Sequence, residues 1–365
     1  MESKTDLING LLVKAEPAGS PVAVSLARRN CMRFNLKFSQ LLIPLCYGYL
    51  AFLLFVYAAF RYGANAWWLG TVIEFGPQWL CLLPAIPLSW AALFGHYSFR
   101  SKLHSGGLLL ASCLICLVLL MGLTVNLSVP PAAEGLPLRL VTFNTDSRAD
   151  LSRLVAHLLD SEIDVVCLHE CRSRVDLNSF VPPGWHGVQQ GEFIVTSRYR
   201  LSDIDVLRSN AEYRPLAAMR CRIHTSAGQI SLVNVHMPTL RRGLRAVLRC
   251  EPGCIETLNG DMRQRGEDLV LLAPWVHGSK ELPTIVAGDF NQTVGSLSYE
   301  QAWDTLANSF STAGNRFGST FFSHWQSSRI DHILATHDFT PVGCWPWGDF
   351  GSEHRPLFAE LHLKK

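Results

Sequence analysis

The chain has 365 residues, of which 48% are hydrophobic, and its 32 Lys+Arg against 30 Asp+Glu give a formal net charge of +2. This length exceeds what one small core needs and fits about two structural units. The near balance of charge excludes a protein that holds nucleic acid through a bulk basic surface, because such proteins carry a clear excess of Lys and Arg.

The first third of the chain has the composition of a membrane region. Residues 1–40 form a basic arm, and residues 41–127 contain two charge-free runs, Leu41–Phe60 and Gly107–Leu127. Each run is long enough to cross a bilayer as a helix. A third apolar segment, Trp79–Phe94, is shorter and contains two prolines. We predict about three transmembrane helices here, of which the middle one is kinked or re-entrant.

The distribution of Lys and Arg predicts the orientation of these helices. Residues 1–40 carry six basic residues, whereas the loop after the first run carries only Arg61. Arg100 and Lys102 follow the middle segment. The positive-inside bias therefore places the N-terminal arm in the cytoplasm, and three crossings place the remainder of the chain outside. Two crossings would leave that remainder in the cytoplasm.

Residues 128–137 form a Pro- and Gly-containing linker, and residues 138–365 form a domain with 23 Lys+Arg and 25 Asp+Glu. Short apolar runs alternate there with helical stretches such as Asp150–Leu159. Because several predicted strands follow one another without helices, we expect antiparallel pairing and an α/β fold in which two packed sheets are flanked by helices. The predicted strands are Leu138–Asn144, Asp164–His169, Phe193–Thr196, Ala217–His224, Ile230–His236, Thr284–Ala287 and Arg329–Ala335.

Polar side chains stand at the ends of these predicted strands. Asp289 and Asn291 follow the apolar run Thr284–Ala287, and residues two apart on an extended backbone point the same way. Each such residue by itself is typical of a turn or a cap. Their conjunction in one domain predicts a shared site that holds a metal-bound phosphate and a water. The other members of this set are Asn144, Asp146, Glu170, His236, Asp331 and His354.

A basic segment follows the fifth predicted strand. Arg242, Arg245 and Arg249 fall at i, i+3 and i+7, which places them on one helical face. This face is either simply solvated or a headgroup-binding edge toward the bilayer, with Arg242 and Arg245 as substrate ligands. Cys250 and Cys254 flank a predicted turn, where a disulfide is plausible if the domain lies outside.

Six short motifs, taken in order, give the domain a resemblance to a known family. The segment 138–363 resembles the endonuclease/exonuclease/phosphatase superfamily, the DNase-I-like fold. The resemblance implies a four-layer α/β sandwich, with two packed mixed or antiparallel sheets flanked by helices, and hydrolysis of a phosphate ester with Mg²⁺ or Mn²⁺. The motifs are Phe143-Asn144, His169-Glu170, Asn234-Val235-His236, Gly288-Asp289-Phe290-Asn291, Ile330-Asp331-His332-Ile333 and Ser352-Glu353-His354.

The resemblance also implies a set of metal ligands. Glu170 is expected as the principal ligand with Asn144 beside it, since a hard divalent cation takes oxygen donors and keeps several waters. Asp146 corresponds to an extra acidic ligand that only some members have. Glu353 stands where the family usually has Asp in Ser-Asp-His, and if it touches the metal the longer side chain reshapes the site.

The catalytic roles are carried over in the same way. Asp289 is expected to position or deprotonate the attacking water. Asn291 and His236 are expected to hold the phosphate oxygens. Asp331 is expected to orient His354, which contacts the phosphate under attack. Charge that develops on the phosphate is then met by the metal and by donors already in place.

The amino-terminal region is similar to that of bacterial membrane-anchored members. We therefore expect a multi-pass protein of the bacterial inner membrane with a periplasmic domain, whose partners are a phosphoester and the bilayer. The favoured hypothesis is a tethered phosphoesterase acting on a lipid headgroup or small phosphodiester. A membrane-anchored nuclease is the first alternative, and a non-catalytic binding protein is the second. A basic stripe beside the site would favour the nuclease, and a cleft toward the membrane would favour the phosphoesterase.

Overall fold

A computed structural model describes most of the chain and divides it into two compact units. The first unit comprises Met1–Phe52 and Leu82–Cys113, and the second comprises Leu53–Cys81 and Leu114–Lys365. For residues 21–40 only the course of the backbone is described. The described residues are 21–127, 134–171, 177, 181–209, 216–278, 282–323 and 326–364.

Two helical segments are long and apolar enough to cross a membrane, Leu41–Gly63 and Phe99–Leu120, with mean hydropathy 2.1 and 2.2. Helix α1 (Pro21–Gly63) continues from the basic arm into the first segment without a break. Helix α4 (Phe99–Leu114) continues into a π-helical stretch, Ile115–Leu120, and forms the second.

The predicted middle segment is a bent pair of helices. Helix α2 (Trp68–Glu74) and the apolar stretch Gln78–Phe94, which ends in helix α3 (Ala85–Phe94), meet at an angle of 88°. The bend falls at Gly76-Pro77, because proline lacks an amide donor and disfavours helical geometry in the residue before it. Counted as one span, the pair gives three candidate crossings.

The second unit contains two six-stranded sheets and a short two-stranded hairpin. The first sheet has the order β13-β14-β1-β2-β4-β3, and the second has the order β5-β6-β7-β8-β12-β9. The strands are β1 (Leu136–Asn144), β2 (Val165–His169), β3 (His186–Gln190), β4 (Phe193–Ser197), β5 (Arg200–Arg208), β6 (Leu216–Thr225), β7 (Gly228–His236), β8 (Thr284–Asp289), β9 (Ala307–Asn308), β10 (Phe321–Phe322), β11 (Ser327–Ser328), β12 (Asp331–Ala335), β13 (Phe339–Pro346) and β14 (Leu357–Leu363).

Parallel and antiparallel pairs are mixed in both sheets, which confirms the expected α/β class. Only β1–β2 and β7–β8 pair in parallel among the described strands. The strand predicted from Arg329 begins two residues later, at Asp331. Strands β3, β5 and β13 were not predicted, because their burial is partial or alternating and their runs are less apolar. The two-residue strands β9, β10 and β11 were not predicted either.

Alternating residues divide the core into layers. In β1, Leu138 and Leu140 pack between the two sheets, whereas Val141 and Phe143 face helix α5 (Leu151–Leu159) on the outside. In β8, Val286 packs outward against the long helix α7 (Cys254–His277). Because successive strand residues point to opposite faces, strands buried on both faces read as continuous apolar runs. The result is the predicted four-layer sandwich of helix, sheet, sheet and helix.

The basic segment forms two helices. Helix α6 (Arg241–Leu248) ends at the cap residue Arg249, and α7 begins after Gly253. Gly253 adopts a φ of 71°, a left-handed value that glycine reaches without penalty. Cys250 and Cys254, at this break, are free thiols. The remaining described helices of the unit are α8 (Leu297–Trp303) and α9 (Ser309–Ala313).

The second unit extends further toward the amino terminus than the predicted domain, which started at residue 138. Its additional segment, Leu53–Cys81, carries Trp68, Val72 and Phe75, which pack around the buried side chain of Leu258. Apolar burial of this kind is non-directional and leaves only a weak sequence pattern. The segment therefore has the composition of a membrane region while it forms part of the sandwich unit.

Candidate active site

Sheet register brings the predicted site residues to one end of the sandwich. Asn144 and His169 are register partners at the carboxyl ends of β1 and β2, so Glu170 follows directly at the same edge. His236 and Asp289 are partners at the carboxyl ends of β7 and β8. Parallel strands end at the same edge of a sheet. Strand β12 runs the other way, and its first residue, Asp331, is the partner of Asp289.

Asn144 joins two carboxylates that belong to different sheets. Its Nδ2 donates to Glu170 Oε1 at 2.9 Å and to Asp289 Oδ2 at 3.0 Å. Its Oδ1 accepts from the backbone N–H of Asp146 at 2.9 Å. The amide nitrogen therefore faces the site and the oxygen faces the turn. Coordination of a cation by Asn144, as expected from the resemblance, requires the amide to rotate.

The backbone of Glu170 turns its side chain into the site. Its φ is 54°, and Asn291 has a φ of 47°, a left-handed conformation that is uncommon for residues other than glycine and often found at functional sites. Burial acts to raise the pKa of Glu170, but the hydrogen bond and charge of His236 and the bond from Asn144 outweigh it. The pKa of Glu170 is therefore held well below its ordinary value.

His236 lies between two carboxylates. Its Nε2 is 3.1 Å from Glu170 Oε1, and its Nδ1 is 3.0 Å from Glu192 Oε1. An imidazolium satisfies both carboxylates because both of its ring nitrogens carry protons. Glu192 was not predicted as a site residue, since it stands at the start of an apolar strand, where a lone acid resembles an ordinary turn residue.

Asp331 and His354 form a buried pair. His354 Nδ1 lies 2.8 Å from Asp331 Oδ2, and His354 Nε2 lies 3.8 Å from Asp289 Oδ2. Burial disfavours the imidazolium, but the charge and hydrogen bond of Asp331 outweigh it, with the charge of Asp289 added. The pKa of His354 is thereby raised to about 9, and the pKa of Asp331 is lowered.

His169 completes the buried part of the site and was not predicted. It is fully buried at the end of β2, and its Nε2 is 3.7 Å from Asp331 Oδ1. Burial lowers its pKa. Ligand atoms of His169, Asp289 and Asp331 lie within 4.8 Å of one another. This trio is nearly free of solvent contact, however, whereas Mg²⁺ usually keeps several waters, and the Glu170 side chain is 35% exposed. The position beside Glu170 is therefore the better cation site.

Asn291 directs its donors to neighbours in the site. Its backbone N–H donates to Asp289 Oδ1 at 2.8 Å, and its Nδ2 donates to the Met237 carbonyl at 2.9 Å and to Asp289 Oδ2 at 3.2 Å. Phe290 between them is buried in the core. Asn291 thus fixes the orientation of the Asp289 carboxylate. Both protons of its Nδ2 are taken by these two acceptors, so the predicted contact with a phosphate oxygen requires one of these bonds to break.

The two acids at the rim pair with arginines. Glu353 Oε2 accepts from Arg241 Nη2 at 2.9 Å, and Glu353 Oε1 is 3.9 Å from Arg148 Nη1. Asp146 Oδ2 lies 3.3 Å from Arg148 Nε. Burial is the main cause of the raised pKa of Asp146. The structure therefore places both predicted accessory ligands in ion pairs at the edge of the site.

Of the two arginines predicted to bind substrate, Arg242 points away from this cluster. Its guanidinium pairs with the Asp261 carboxylate at 2.5 Å, and Arg245 is exposed on the same helix. Arg241, which was not predicted, is the residue of α6 that reaches the rim. A helix rotates by about 100° per residue, so neighbouring arginines point in different directions, and only the packing of α6 decides which of them faces the site.

The donor set fits a hard divalent cation. Nδ2 of Asn144 donates to the carboxylates of both Glu170 and Asp289, at 2.9 and 3.0 Å. Two carboxylates that share one neighbour repel each other unless positive charge offsets them. Oxygen donors beside an exposed carboxylate are what Mg²⁺ and Mn²⁺ accept.

Solved structures are similar to this chain at low sequence identity. An endonuclease/exonuclease/phosphatase family protein of Bacteroides thetaiotaomicron is 17% identical and covers 64% of this chain and 100% of its own, with a TM-score of 0.47. An AP endonuclease of Archaeoglobus fulgidus has the same identity and TM-score and covers 61% and 98%. A mannosyl-6-phosphatase of Bacteroides thetaiotaomicron is 18% identical and covers 61% and 99%, with a TM-score of 0.43.

A sequence-family model gives the assignment. No curated protein matches the chain. The model of the Endonuclease/Exonuclease/phosphatase family matches residues 141–354, more than half of the chain, and this span contains every residue of the cluster described above. The protein therefore belongs to the Endonuclease/Exonuclease/phosphatase family of phosphoester hydrolases.

Proposed function

We propose that the protein is a membrane-tethered, divalent-metal-dependent phosphoesterase that hydrolyses the phosphodiester of a lipid headgroup or of a small molecule. The proposal rests on the contacts of Asp289. Its carboxylate has amide donors from Asn144 and Asn291 on one side and His354 Nε2 at 3.8 Å on the other. A base is thus held beside a cationic imidazole.

The residues divide the chemistry between them. Asp289 accepts a proton from the attacking water, and its amide donors fix the oxygen that does so. The raised pKa of His354 keeps its imidazole charged at neutral pH, so Nε2 donates to a phosphate oxygen while Asp331 holds Nδ1. Mg²⁺ or Mn²⁺, held chiefly by Glu170 when bound, supplies positive charge that offsets the charge of the phosphate.

The tether is supported by where the two candidate spans end. Phe60 near the carboxyl end of the first and Val118 near the carboxyl end of the second line the same cavity of the second unit. The carboxyl-terminal parts of both candidate spans therefore belong to the second unit. If both spans enter this unit by their carboxyl ends, the chain between them crosses the bilayer once more, and Gln78–Phe94 is the apolar segment for this crossing. Three crossings from a cytoplasmic basic arm place the domain outside.

The charge of the rim favours a small or lipid phosphoester over nucleic acid. Arg148 and Arg241 stand beside the site, but each is paired with an acid, Asp146 or Glu353. Within the described part of the chain, this rim shows no unpaired basic stripe of the kind that releases counterions from a nucleic-acid backbone. The non-catalytic alternative has less support, because Glu170, Asp289 and His354 all carry competent side chains. Glu170 and Asp289 share Nδ2 of Asn144, and His354 Nε2 lies 3.8 Å from Asp289 Oδ2.

The test is an activity screen of the full chain purified in detergent. The substrates are a chromogenic phosphodiester, phospholipid vesicles, inositol phosphates, and single- and double-stranded DNA, each with Mg²⁺ or Mn²⁺. We expect hydrolysis of a lipid or small phosphoester that stops in excess chelator and returns with added metal. Hydrolysis of DNA and of no other substrate would favour the nuclease alternative over this proposal. Activity in Asp289→Asn equal to that of the wild-type chain would contradict the assignment of the active site.

A further inference from the structure

The second unit contains a cavity of about 310 Å³ that shares no residue with the catalytic cluster. Apolar side chains from both candidate spans and from the sandwich form much of its wall, among them Phe60, Leu120 and Val294. Trp79 also lines it and is 41% exposed. A concave, mostly apolar cavity of this size with a few polar groups is the usual form of a small-molecule site.

One of the polar groups is a buried guanidinium without a counter-ion. Arg329 is 8% exposed and stacks on the ring of Phe310 at 4.2 Å. Nη1 makes only a long hydrogen bond, 3.5 Å, to the Phe317 carbonyl, and Nε has no partner in the described part of the chain. No carboxylate there forms an ion pair with this guanidinium. An uncompensated buried charge is costly. A bound ligand with negative charge offsets the cost of burying the Arg329 guanidinium.

The second polar group is a buried carboxylate of opposite sign. Glu74 is 1% exposed, and its Oε1 accepts from the N–H and the hydroxyl of Thr293, both at 3.0 Å. Its Oε2 has no hydrogen-bond partner among the described residues. Arg265 is the cation that acts on its charge, yet Arg265 donates to Pro238 and Asn65. An acceptor thus stays available in the same cavity as Arg329.

We propose that this cavity binds the headgroup of one zwitterionic aminophospholipid, with its phosphate on Arg329 and its primary ammonium on Glu74. The two side chains supply one donor fork and one acceptor, which matches a ligand that carries both charges. Apolar residues from the ends of both candidate spans, Phe60 and Leu120 among them, line the same cavity and suit the acyl chains of such a lipid. The site holds a structural or regulatory lipid and is separate from the site of hydrolysis.

The lipid site lies next to the catalytic loops in sequence. Thr293 is two residues beyond Asn291, and Arg329 is two residues before Asp331. Because Oε1 of Glu74 already holds the Thr293 turn, a lipid that engages Glu74 and Arg329 links both loops to one ligand. We therefore expect its binding to stabilise the fold, since a ligand that binds only the native state raises the melting temperature.

The test measures lipid binding to the full chain in detergent after delipidation, by native mass spectrometry and by melting temperature. The probes are dioleoyl lipids with ethanolamine, choline or glycerol headgroups. Asp289→Asn serves as the background, so that no lipid is consumed and failure of the hydrolysis proposal does not affect the result. We expect one tightly bound ethanolamine lipid. Binding of the choline lipid should be weaker because its ammonium has no N–H, and binding of the anionic glycerol lipid should be weaker because it leaves Glu74 without a partner.

Two variants assign the two ends of the headgroup. Arg329→Gln and Glu74→Gln should each weaken ethanolamine-lipid binding at least tenfold, whereas Arg222→Gln and Glu256→Gln, on the exposed surface, should leave it unchanged. Without lipid, Arg329→Gln should melt no lower than the parent chain, because the substitution removes an uncompensated charge; this shows that the variant folds. Equal binding of all three lipids, or unchanged binding in both variants, would overturn the proposal. If the anionic lipid binds best and Glu74→Gln has no effect, the cavity binds only an anion, and the proposed contact of Glu74 with the ammonium is wrong.

Discussion

Oε2 of Glu353 accepts a hydrogen bond from Nη2 of Arg241 at 2.9 Å, across 112 residues of sequence. The family usually has a shorter acid at this position, and the longer side chain allows the carboxylate to meet a guanidinium from α6. Arg241 also lies 5.8 Å from the ring of Phe321, whose ring is 5.1 Å from that of His354. The ion pair therefore forms one wall of the site.

Shortening Glu353 tests whether this acid binds arginine or metal. We predict that Glu353→Asp leaves the ratio of activities with Mg²⁺ and Mn²⁺ unchanged and raises KM by a few-fold. Both side chains are about one-third exposed, and pairs of this kind contribute less than about 1 kcal/mol. Arg241→Gln should produce the same rise in KM. A changed metal ratio in Glu353→Asp would place this carboxylate on the cation instead.

Removal of the central groups should damage turnover more than binding. Glu170→Ala, Asp289→Asn and His354→Ala are each predicted to lower kcat by roughly a hundredfold or more, as expected when a contact made in the transition state is lost. KM should change little in each. His337→Ala is the matched control, because this histidine is 94% exposed. The measurement is steady-state kinetics on the substrate found in the screen, and wild-type kcat in any of the three variants would contradict the assignment.

Glu192 should act by positioning His236. The carboxylate holds Nδ1 at 3.0 Å while Nε2 faces Glu170. Partners of this kind typically contribute about ten- to a hundredfold to activity or metal affinity. We predict that Glu192→Ala lowers kcat about tenfold and that Glu192→Gln, which keeps an acceptor oxygen, recovers most of the loss. A purely structural role predicts instead a lower melting temperature with unchanged kcat in the surviving protein.

His332 should make stability depend on pH. Its Nε2 donates to the Gln292 carbonyl at 2.8 Å, and its Nδ1 accepts from Asn308 at 3.3 Å, so the structure holds it neutral. Burial lowers its pKa to about 4, against 6.5 as the ordinary value. Between pH 4 and pH 6.5 this imidazole is protonated in the unfolded chain and mostly neutral in the folded chain. The unfolded chain therefore binds more protons than the folded chain, and the free energy of unfolding falls as pH falls from 6.5 to 4.

His332 lowers the free energy of unfolding by about 2 kcal/mol when the pH falls from 7 to 5. Thermal melts of the full chain at these two pH values provide the measurement, and His332→Gln should show a smaller decrease than the parent chain. His354 contributes with the opposite sign, because its raised pKa favours folding below 6.5 and that contribution is lost as pH rises toward 9. A decrease of equal size in His332→Gln would assign the effect to other groups.

The main strands of the sandwich and the identities of the central acids could be predicted from the sequence pattern within each segment. Thr284–Ala287 and Ile230–His236 are apolar and rich in β-branched residues, and both occur as strands with bounds shifted by two residues or fewer. Residues such as Asp289 stand out because a polar group at the end of an apolar run is conspicuous. These signals are local, and side-chain periodicity alone produces them.

The sequence by itself also determined that 41–127 is apolar enough for a membrane, because hydropathy depends only on composition. It did not show that Leu53–Cys81 packs with the sandwich, since the hydrogen bonds of Glu74 to Thr293 join residues more than two hundred positions apart. A membrane helix and a buried helix have the same hydrophobic composition over a short stretch.

Only the tertiary structure decided which partner each charged group takes. Arg241 rather than Arg242 reaches the rim because the packing of α6 sets its rotation. His236 meets Glu192 at 3.0 Å because the packing of one sheet on the other brings the end of β7 to the residue that precedes β4. Ion pairs and hydrogen bonds depend on distances of a few ångströms between segments remote in sequence. The sequence therefore determined the elements and the central chemical groups, and the packing of the two sheets and the helix α6 determined the pairings that make them a site.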